Sequence, residues 1–371
     1  MNHQISLVGG QLTPIYVGVK EFNPDKVHFI VSDESLSSLS VLKPLLGVTK
    51  WVEYKCNPFD FISIKSICEK IISKLTEEDT ITFNLTGGTK IMVLACQALI
   101  HEKNLKGFYI NQDYSFLELP AYNKKQLTTQ LSIQEFFDLS DHHLFSSNRL
   151  EDFTKEDFAM ALAIEIFANN GKFYTTITGH MRRKYDNTNQ PIPEKGKELL
   201  PNNIVFSWDS NTIIVNLNGK PILNLKSKHI IELFFNAGWW ELLVAKEISN
   251  WTGLKEMLVN CVLPFKTDKS TRKNEIDILI STGKRLIFVE CKSGNVRQED
   301  INKMKIIKQT YGGVISRSIL VCRFLPNATI LEKCRELDID IFYTHAFLTK
   351  QTNPLSKIIS KLNEINKKGS I

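Results

Sequence analysis

The spacing of apolar positions divides the chain into two unlike parts. Over the first 110 residues, short β-branched or aromatic runs recur at Ile5–Val8, Val27–Ser32, Trp51–Cys56, Thr80–Leu85 and Phe108–Asn111. Longer segments of helical spacing lie between them, clearest at Phe59–Leu75 and Thr89–Glu102. Alternation of this kind predicts a mostly parallel sheet with helices on both faces, an α/β architecture. Ligands of such sheets bind beyond the carboxyl ends of the strands.

Further along, residues 120–150 read as a linker, and Lys172–Lys197, with two prolines and Arg182-Arg183-Lys184, reads as a loop. A helix is expected over Thr154–Ala168, with Thr154 as N-cap. Alternating runs at Ile204–Trp208, Thr212–Leu217 and Ile222–Leu225 predict a small meander, with Asn218-Gly219 as a hairpin turn. Gly238–Ile248 reads as a helix, and its Trp239 and Trp240 read as packing residues.

The segment from Asn274 to Gly294 carries the chemistry. Two apolar runs flank the polar Ser281–Lys284, an antiparallel hairpin signal. Pairing Ile280 with Arg285 sets Asp277 opposite Phe288, with Glu290 and Lys292 following on the same face by the period of two. Ile278, Ile280, Ile287, Val289 and Cys291 then point the other way, into a core. Two carboxylates suit a hard divalent cation. Such a cation polarises a phosphoryl group and lowers the pKa of a water, while Lys292 can orient or help deprotonate that water and offset developing charge. Glu241 is a fourth candidate, as metal ligand or water orienter. Glu-x-Lys alone is weak evidence, since Glu53-Tyr54-Lys55 matches it too; the upstream Asp on a paired strand is the rarer element. The bland alternative is a hairpin whose charged ends simply reach solvent.

Charge adds a division between the two parts. Residues 1–150 carry 14 Lys and Arg against 16 Asp and Glu, leaving 32 against 24 of the chain's 46 and 40 for the rest. A net +8 beyond residue 150 suits a polyanionic substrate, although a solvated basic surface gives the same count. The seven scattered cysteines without a C-x-x-C pair argue for a reducing cytoplasm and against a disulfide framework. No signal peptide is evident at the start. The longest apolar stretch, Ile91–Ile100, is interrupted by Gln97 and is half the roughly 20 residues a membrane span needs.

The loops ending the N-terminal strands are polar and rich in small residues: Gly9-Gly10-Gln11, Ser32-Asp33-Glu34-Ser35 and Thr86-Gly87-Gly88-Thr89-Lys90. Glycines admit a ligand close to the backbone, and a following helix offers unpaired N–H groups to an anion. Taken singly, each is also what a plain strand-to-helix turn looks like. Three on one edge point to a ligand site, though neither a Walker A loop nor G-x-G-x-x-G is present.

Asp277 followed by Val-Glu290-Cys-Lys292 resembles the PD-(D/E)xK restriction-endonuclease-like core, with Glu275-Ile276 standing where that motif has its proline. Asn84-Leu-Thr-Gly-Gly-Thr-Lys90 resembles the signature of CARF domains. Together they resemble the CRISPR-associated CARF–nuclease effectors activated by cyclic tetra-adenylate. The resemblance implies a Rossmann-like CARF domain over residues 1–145 and a restriction-endonuclease-like domain over 146–371, whose first part, 146–226, is a helix and meander extension. It implies a homodimer whose two CARF domains bind one cyclic oligoadenylate through Gly9, Gly10, Gln11, Ser32, Asp33, Ser35, Thr86, Gly87, Gly88, Thr89 and Lys90. It further implies catalysis by Asp277, Glu290, Lys292 and Glu241, with Mn²⁺ or Mg²⁺ held by Asp277, Glu290, the Cys291 carbonyl and Glu241. The substrate would be single-stranded RNA or DNA, cut in antiviral defence. Two other readings stay open: a nucleic-acid-binding regulator without catalysis, and an ungated repair or restriction nuclease.

Overall fold

The computed structural model describes the chain apart from residues 48, 186–190, 265–271, 314, 348 and 368–371 and the side chains of Arg272 and Lys273. The chain begins with β1 (Asn2–Leu7), α1 (Thr13–Phe22), β2 (Lys26–Val31), α2 (Leu36–Leu42), β3 (Lys50–Lys55), α3 (Phe61–Ile72), β4 (Thr80–Asn84), α4 (Lys90–Glu102) and β5 (Lys106–Ile110). It then turns back through β6 (Ser115–Leu119) and β7 (Lys124–Gln126). The sheet order is β3-β2-β1-β4-β5-β6-β7, parallel from β3 to β5 and antiparallel at the last two strands. The winding reverses between β1 and β4, and strand ends at such a switch point open a crevice for ligands. Helices cover both faces: α3 and α4 pack with Ile5, Leu7 and Phe83, and α1 and α2 pack with Val27 and Phe29.

Two segments read as irregular are structured. Residues 120–150 hold β7, α5 (Ile133–Leu139) and β8 (Ser146–Asn148) rather than a linker. α5 starts with a capping box, in which Ser132 Oγ accepts from the Glu135 amide at 3.2 Å and the Glu135 carboxylate accepts from the Ser132 amide at 2.9 Å. α6 (Lys155–Asn169) follows, capped by Thr154, which accepts from the Asp157 amide. The stretch from Lys172 to Lys197 is not one loop, because α7 (Phe173–Lys184) occupies its first half and buries Tyr174, Ile177 and Met181. Residues 186–190 of that stretch lie outside the described residues.

The meander has one strand more than expected. β9 (Gly196–Leu200), β10 (Ile204–Trp208), β11 (Thr212–Leu217) and β12 (Lys220–Lys226) form an antiparallel sheet in that order. The β11–β12 turn has positive φ at both Asn218 (51°) and Gly219 (78°), as a two-residue hairpin requires. Next come α8 (Ile230–Phe235), α9 (Gly238–Ile248), β13 (Glu256–Pro264), β14 (Arg272–Ser281), β15 (Leu286–Lys292), α10 (Gln298–Tyr311), β16 (Arg317–Phe324), α11 (Ala328–Glu336), β17 (Asp340–Ala346), β18 (Gln351–Thr352) and α12 (Ile358–Lys367). Their sheet runs β18-β17-β16-β15-β14-β13-β8, with β15, β16 and β17 parallel.

Both faces of this second large sheet are buried. Ile278, Ile280, Ile287, Val289 and Cys291 pack with α9, the meander and α12. On the opposite face, Leu279, Leu286 and Phe288 join a core shared with α1, α2 and α5 of the N-terminal part. α5 and the turn before it clamp the β14–β15 hairpin directly. The Leu131 amide donates to Gly283 O and its carbonyl accepts from Ser281 Oγ, both at 2.8 Å, and the Ile133 amide donates to Glu256 at 2.7 Å.

Candidate functional site

The hairpin register differs from the expected one by two residues. Ile280 pairs with Ile287 and Ser281 with Leu286, closing a four-residue turn, so Arg285 belongs to the turn rather than to the ladder. A shift of two preserves every face within the ladder, and by the same count Asp277, just beyond it, falls level with Glu290 instead of Phe288. The β14–β15 ladder ends at Ile278–Val289. Beyond it Asp277 Oδ2 accepts from the Cys291 amide at 2.6 Å, so a side chain takes the place of a ladder carbonyl and the strands fork.

The neighbouring strand shows why the fork falls there. Val259 pairs with Ile278 and Cys261 with Ile276, whereas the residues between, Asn260 and Asp277, drop out of the ladder. Asn260 has φ of 52°, a left-handed conformation that kinks β13. Ile278 consequently lies in one core and Ile276 in the other, although both numbers are even.

Asp277, Glu290, Glu241 and Lys292 meet at this fork, and Asp300 pairs with the lysine. Glu290 is 5% exposed, and Lys292 Nζ lies 2.9 Å from its carboxylate and 3.1 Å from Asp300 in the first turn of α10. Glu241 enters from the first turn of α9, which Trp240 ties to the sheet by donating Nε1–H to Val321 O at 3.2 Å. Burial raises the Asp277 carboxyl to about 7, the Glu290 charge adds to that rise, and the Cys291 amide and Lys292 oppose it. Burial also raises Glu241, aided by Asp277, Glu290 and Glu232. For Lys292, burial disfavours the ammonium, but Glu290 and Asp300 outweigh it and the pKa rises, so the lysine is a fixed cation. Among the described residues no three His, Cys, Asp or Glu side chains are close enough to form a ready-made metal cluster. The donor chemistry nonetheless fits a hard cation: oxygen donors only, with the Asp277 and Glu241 carboxyls crowded enough to hold protons above the usual range. Asp300 escaped the sequence reading. Its signal was present in Arg297-x-x-Asp300, a helix start in which Asp300 accepts from the Arg297 amide at 2.8 Å.

The N-terminal loops are built by backbone. A Cβ on Gly87 would sit 2.0 Å from Leu7 O, and one on Gly9 2.8 Å from the Gly88 amide nitrogen, so the loops after β1 and β4 touch main chain to main chain. Gly88 has φ of 76°. Thr89 caps α4 and donates its hydroxyl to Pro58 O at 2.5 Å, and Thr86 Oγ1 accepts from the Ile110 amide at 2.9 Å. Ser32 and Ser35 are buried and bonded to one another, whereas Asp33 is exposed and paired with Lys55 at 3.3 Å. Gly10, Gln11 and Lys90 face solvent. A cavity of about 280 Å³ extends from Gly10, Gln11 and Thr86 past Tyr109 and Asn111 to Gly312 and Gly313, after α10. Tyr109 and Asn111 were not anticipated; their place at the end of β5 was the available signal.

Sheet order, switch-point loops and charged fork define an α/β protein that joins a nucleotide-sensor type of domain to a nuclease type of domain. Residues 4–136 match the Card1 CARF domain and residues 229–347 match the Card1-like endonuclease domain. The chain thus carries a stretch similar to the Card1 CARF domain followed by one similar to the Card1-like endonuclease domain. Can2 from Sulfobacillus thermosulfidooxidans, solved in complex with cyclic tetra-adenylate, superimposes with a TM-score of 0.71 at 17% identity over 99% of each chain. VC1899 from Vibrio cholerae gives 0.72 at 14% identity, over 99% of this chain and 98% of that one. A type III CRISPR defence DNA nuclease activated by cyclic oligoadenylate gives 0.57 at 15%, over 97% of this chain and 51% of that one. No curated protein matches the sequence. At these identities the structural likeness speaks for the fold.

Proposed function

We propose that the protein is a divalent-metal-dependent endonuclease of the PD-(D/E)xK type, activated by cyclic tetra-adenylate and acting on single-stranded RNA or DNA in type III CRISPR defence. The observation that carries the reading is the fork, where Asp277, Glu290 and Glu241 crowd one another beside Lys292. Bound there, Mn²⁺ or Mg²⁺ supplies a Lewis acid for the phosphoryl group and a water of lowered pKa. Asp277, Glu290, Glu241 and the Cys291 carbonyl would hold the cation. The Cys291 amide orients the Asp277 carboxylate, and Asp300 and Glu290 fix the Lys292 ammonium, which offsets charge developing on the phosphate. Crowded carboxylates without a cation repel phosphate, which weighs against a purely nucleic-acid-binding role.

For the sensor domain, residues 1–145, the switch-point loops would receive the cyclic ligand, with Gly10, Gln11 and Lys90 presenting groups outward and Gly9, Gly87 and Gly88 holding the loops together. A homodimer is supported by exposed Phe59, Ile62 and Leu94 on α3 and α4 and the loop before them, beside the Gly88–Lys90 loop. Two-fold symmetry would offer matching loops to one ring. The cavity reaching Gly312 and Gly313 and the α5 clamp on the β14–β15 turn supply the physical path from ligand edge to nuclease hairpin in residues 146–371. No helix among the described residues is long and apolar enough to cross a membrane. We place the protein in the cytoplasm on its free cysteines. Incubating the purified protein with single-stranded RNA and DNA, Mn²⁺ and each cyclic oligoadenylate in turn tests the reading. Cleavage only with cyclic tetra-adenylate is expected; equal cleavage without any ring would promote the ungated nuclease.

A further inference from the structure

Beyond Lys292 the sheet carries an aromatic pile that neither the hairpin nor the ligand loops use. Phe324 ends β16 and stacks on Phe347, with ring centroids 4.5 Å apart and planes inclined by 22°. The inner side of the pile is held: the Arg323 guanidinium lies 4.7 Å from the Phe324 ring centre, and His345 leans on that ring at 5.6 Å. The outer member, Phe347, is 70% exposed. Together with Gly294, Asn295 and Val296, the two phenylalanines line a groove of about 660 Å³.

Register places this groove relative to the fork. Lys292 pairs with Cys322 and Glu290 with Leu320 in the parallel β15–β16 ladder, so Phe324, two residues on, projects from the same sheet face as the Glu-x-Lys pair. Phe324 pairs in turn with His345, and Phe347, in the turn just past β17, stacks on Phe324. One strand spacing and two residue rises put Phe324 Cα about 8 Å from Lys292 Cα. That is roughly two stacked bases at ~3.4 Å each.

We propose that the Phe324–Phe347 pile is a base-stacking platform that holds an unpaired base of a single-stranded nucleic-acid substrate about two nucleotides from the scissile phosphate. The proposal rests on the nuclease reading for the position of that phosphate. A bare ring face accepts any base, and only an unpaired base can lie on it, so the platform selects single strands without reading sequence. The groove's continuity with the loop after Lys292 and the +8 charge of residues 151–371 favour a polyanion as occupant. An exposed aromatic awaiting a second copy of the chain is an outcome the test separates.

The experiment uses the full-length chain and its Phe347→Ala and Phe347→Trp variants. Binding of a fluorescein-labelled single-stranded oligonucleotide is followed by anisotropy in Ca²⁺, and cleavage is followed in Mn²⁺ with saturating cyclic tetra-adenylate. Phe347→Ala should raise both Kd and KM about tenfold, equivalent to about 1.4 kcal/mol, with kcat and the sedimentation coefficient unchanged. Phe347→Trp should restore binding. On an oligonucleotide made abasic around the cut site, wild type and Phe347→Ala should bind alike. Unchanged Kd and KM in Phe347→Ala, an equal loss on the abasic strand, or a change in oligomeric state would overturn the platform. Should wild type cleave nothing under any ring, the nuclease reading fails while the anisotropy arm still judges the platform.

Discussion

At the ends of β1 and β4 the chain places glycines whose backbones touch, and the hydroxyls around them bond to one another or to neighbouring main chain. At the fork of β14 and β15 it places three carboxylates and a lysine, with Glu290 buried and two of the acids forced above their ordinary pKa. The first site is set by the absence of side chains and carries little fixed charge. The second is set by side chains whose charges oppose one another. A backbone site fails when a Cβ is added, and a crowded-charge site fails when one charge is taken away. The two also differ in what they are ready for: the loops are bonded as they stand, whereas the fork holds unfavourable charge that a cation would relieve.

Five experiments press on that difference, from the largest effect to the smallest. Glu290→Ala or Lys292→Ala should lower the cleavage rate on the order of a thousandfold while ligand binding and the melting curve hold. Turnover near wild type in either variant would falsify the assignment. Gly87→Ala has no room for its methyl beside Leu7 O, so the loops must part. It should weaken cyclic tetra-adenylate binding about tenfold or more and destabilise the domain by roughly 1–3 kcal/mol, measured by calorimetry and thermal melts. Tight ligand binding in Gly87→Ala would mean the loops do not need their close contact.

Asp300→Asn removes one of the carboxylates that pair with Lys292 and leaves Glu290 beside it. A partly exposed ion pair contributes about 1 kcal/mol or less, so turnover should fall roughly fivefold at unchanged ligand affinity. A thousandfold fall would instead make Asp300 a direct participant. Lys90→Ala removes an exposed cation at the start of α4. The activation curve should move to roughly fivefold higher ligand, with saturating ligand recovering the wild-type rate; a lowered plateau would contradict that.

The smallest effect concerns pH. The folded state raises Asp277 to about 7, so the native protein binds that proton more tightly than the unfolded chain does. Without metal, stability is then greatest on the acid side and falls as pH rises from the ordinary carboxylate range through about 7. Metal displaces the proton, so the Mn²⁺-induced rise in Tm should be small near pH 6 and larger near pH 8. EDTA should abolish the rise, and Asp277→Asn should lose both the rise and its pH dependence. An equal Tm rise at both pH values would detach Asp277 from the metal.

What the sequence determined by itself was local. The period of two in Asn274–Lys292, the unbroken helix-forming run Gly238–Ile248 and the positive φ demanded by Asn218-Gly219 depend on neighbours a few residues away, and the strands, helix and turn appear where those patterns put them. The face shared by Glu290 and Lys292 was legible for the same reason, because a register error of two leaves faces unchanged. Ser132-x-x-Glu135 and Arg297-x-x-Asp300 were equally local and were overlooked, since capping signals are short and sit in polar stretches. Tertiary structure alone decided the rest. The fork at Asp277 needs Asn260 to leave the ladder on a strand seventeen residues earlier. Leu279, Leu286 and Phe288 look like a half-exposed face until α5 and the N-terminal helices cover them. The raised pKa of Asp277 and Glu241 requires burial and charges brought together from α9, β14 and β15. Charge repulsion and desolvation depend on distance in space, which a linear pattern does not carry, whereas side-chain periodicity depends on the backbone repeat, which it does.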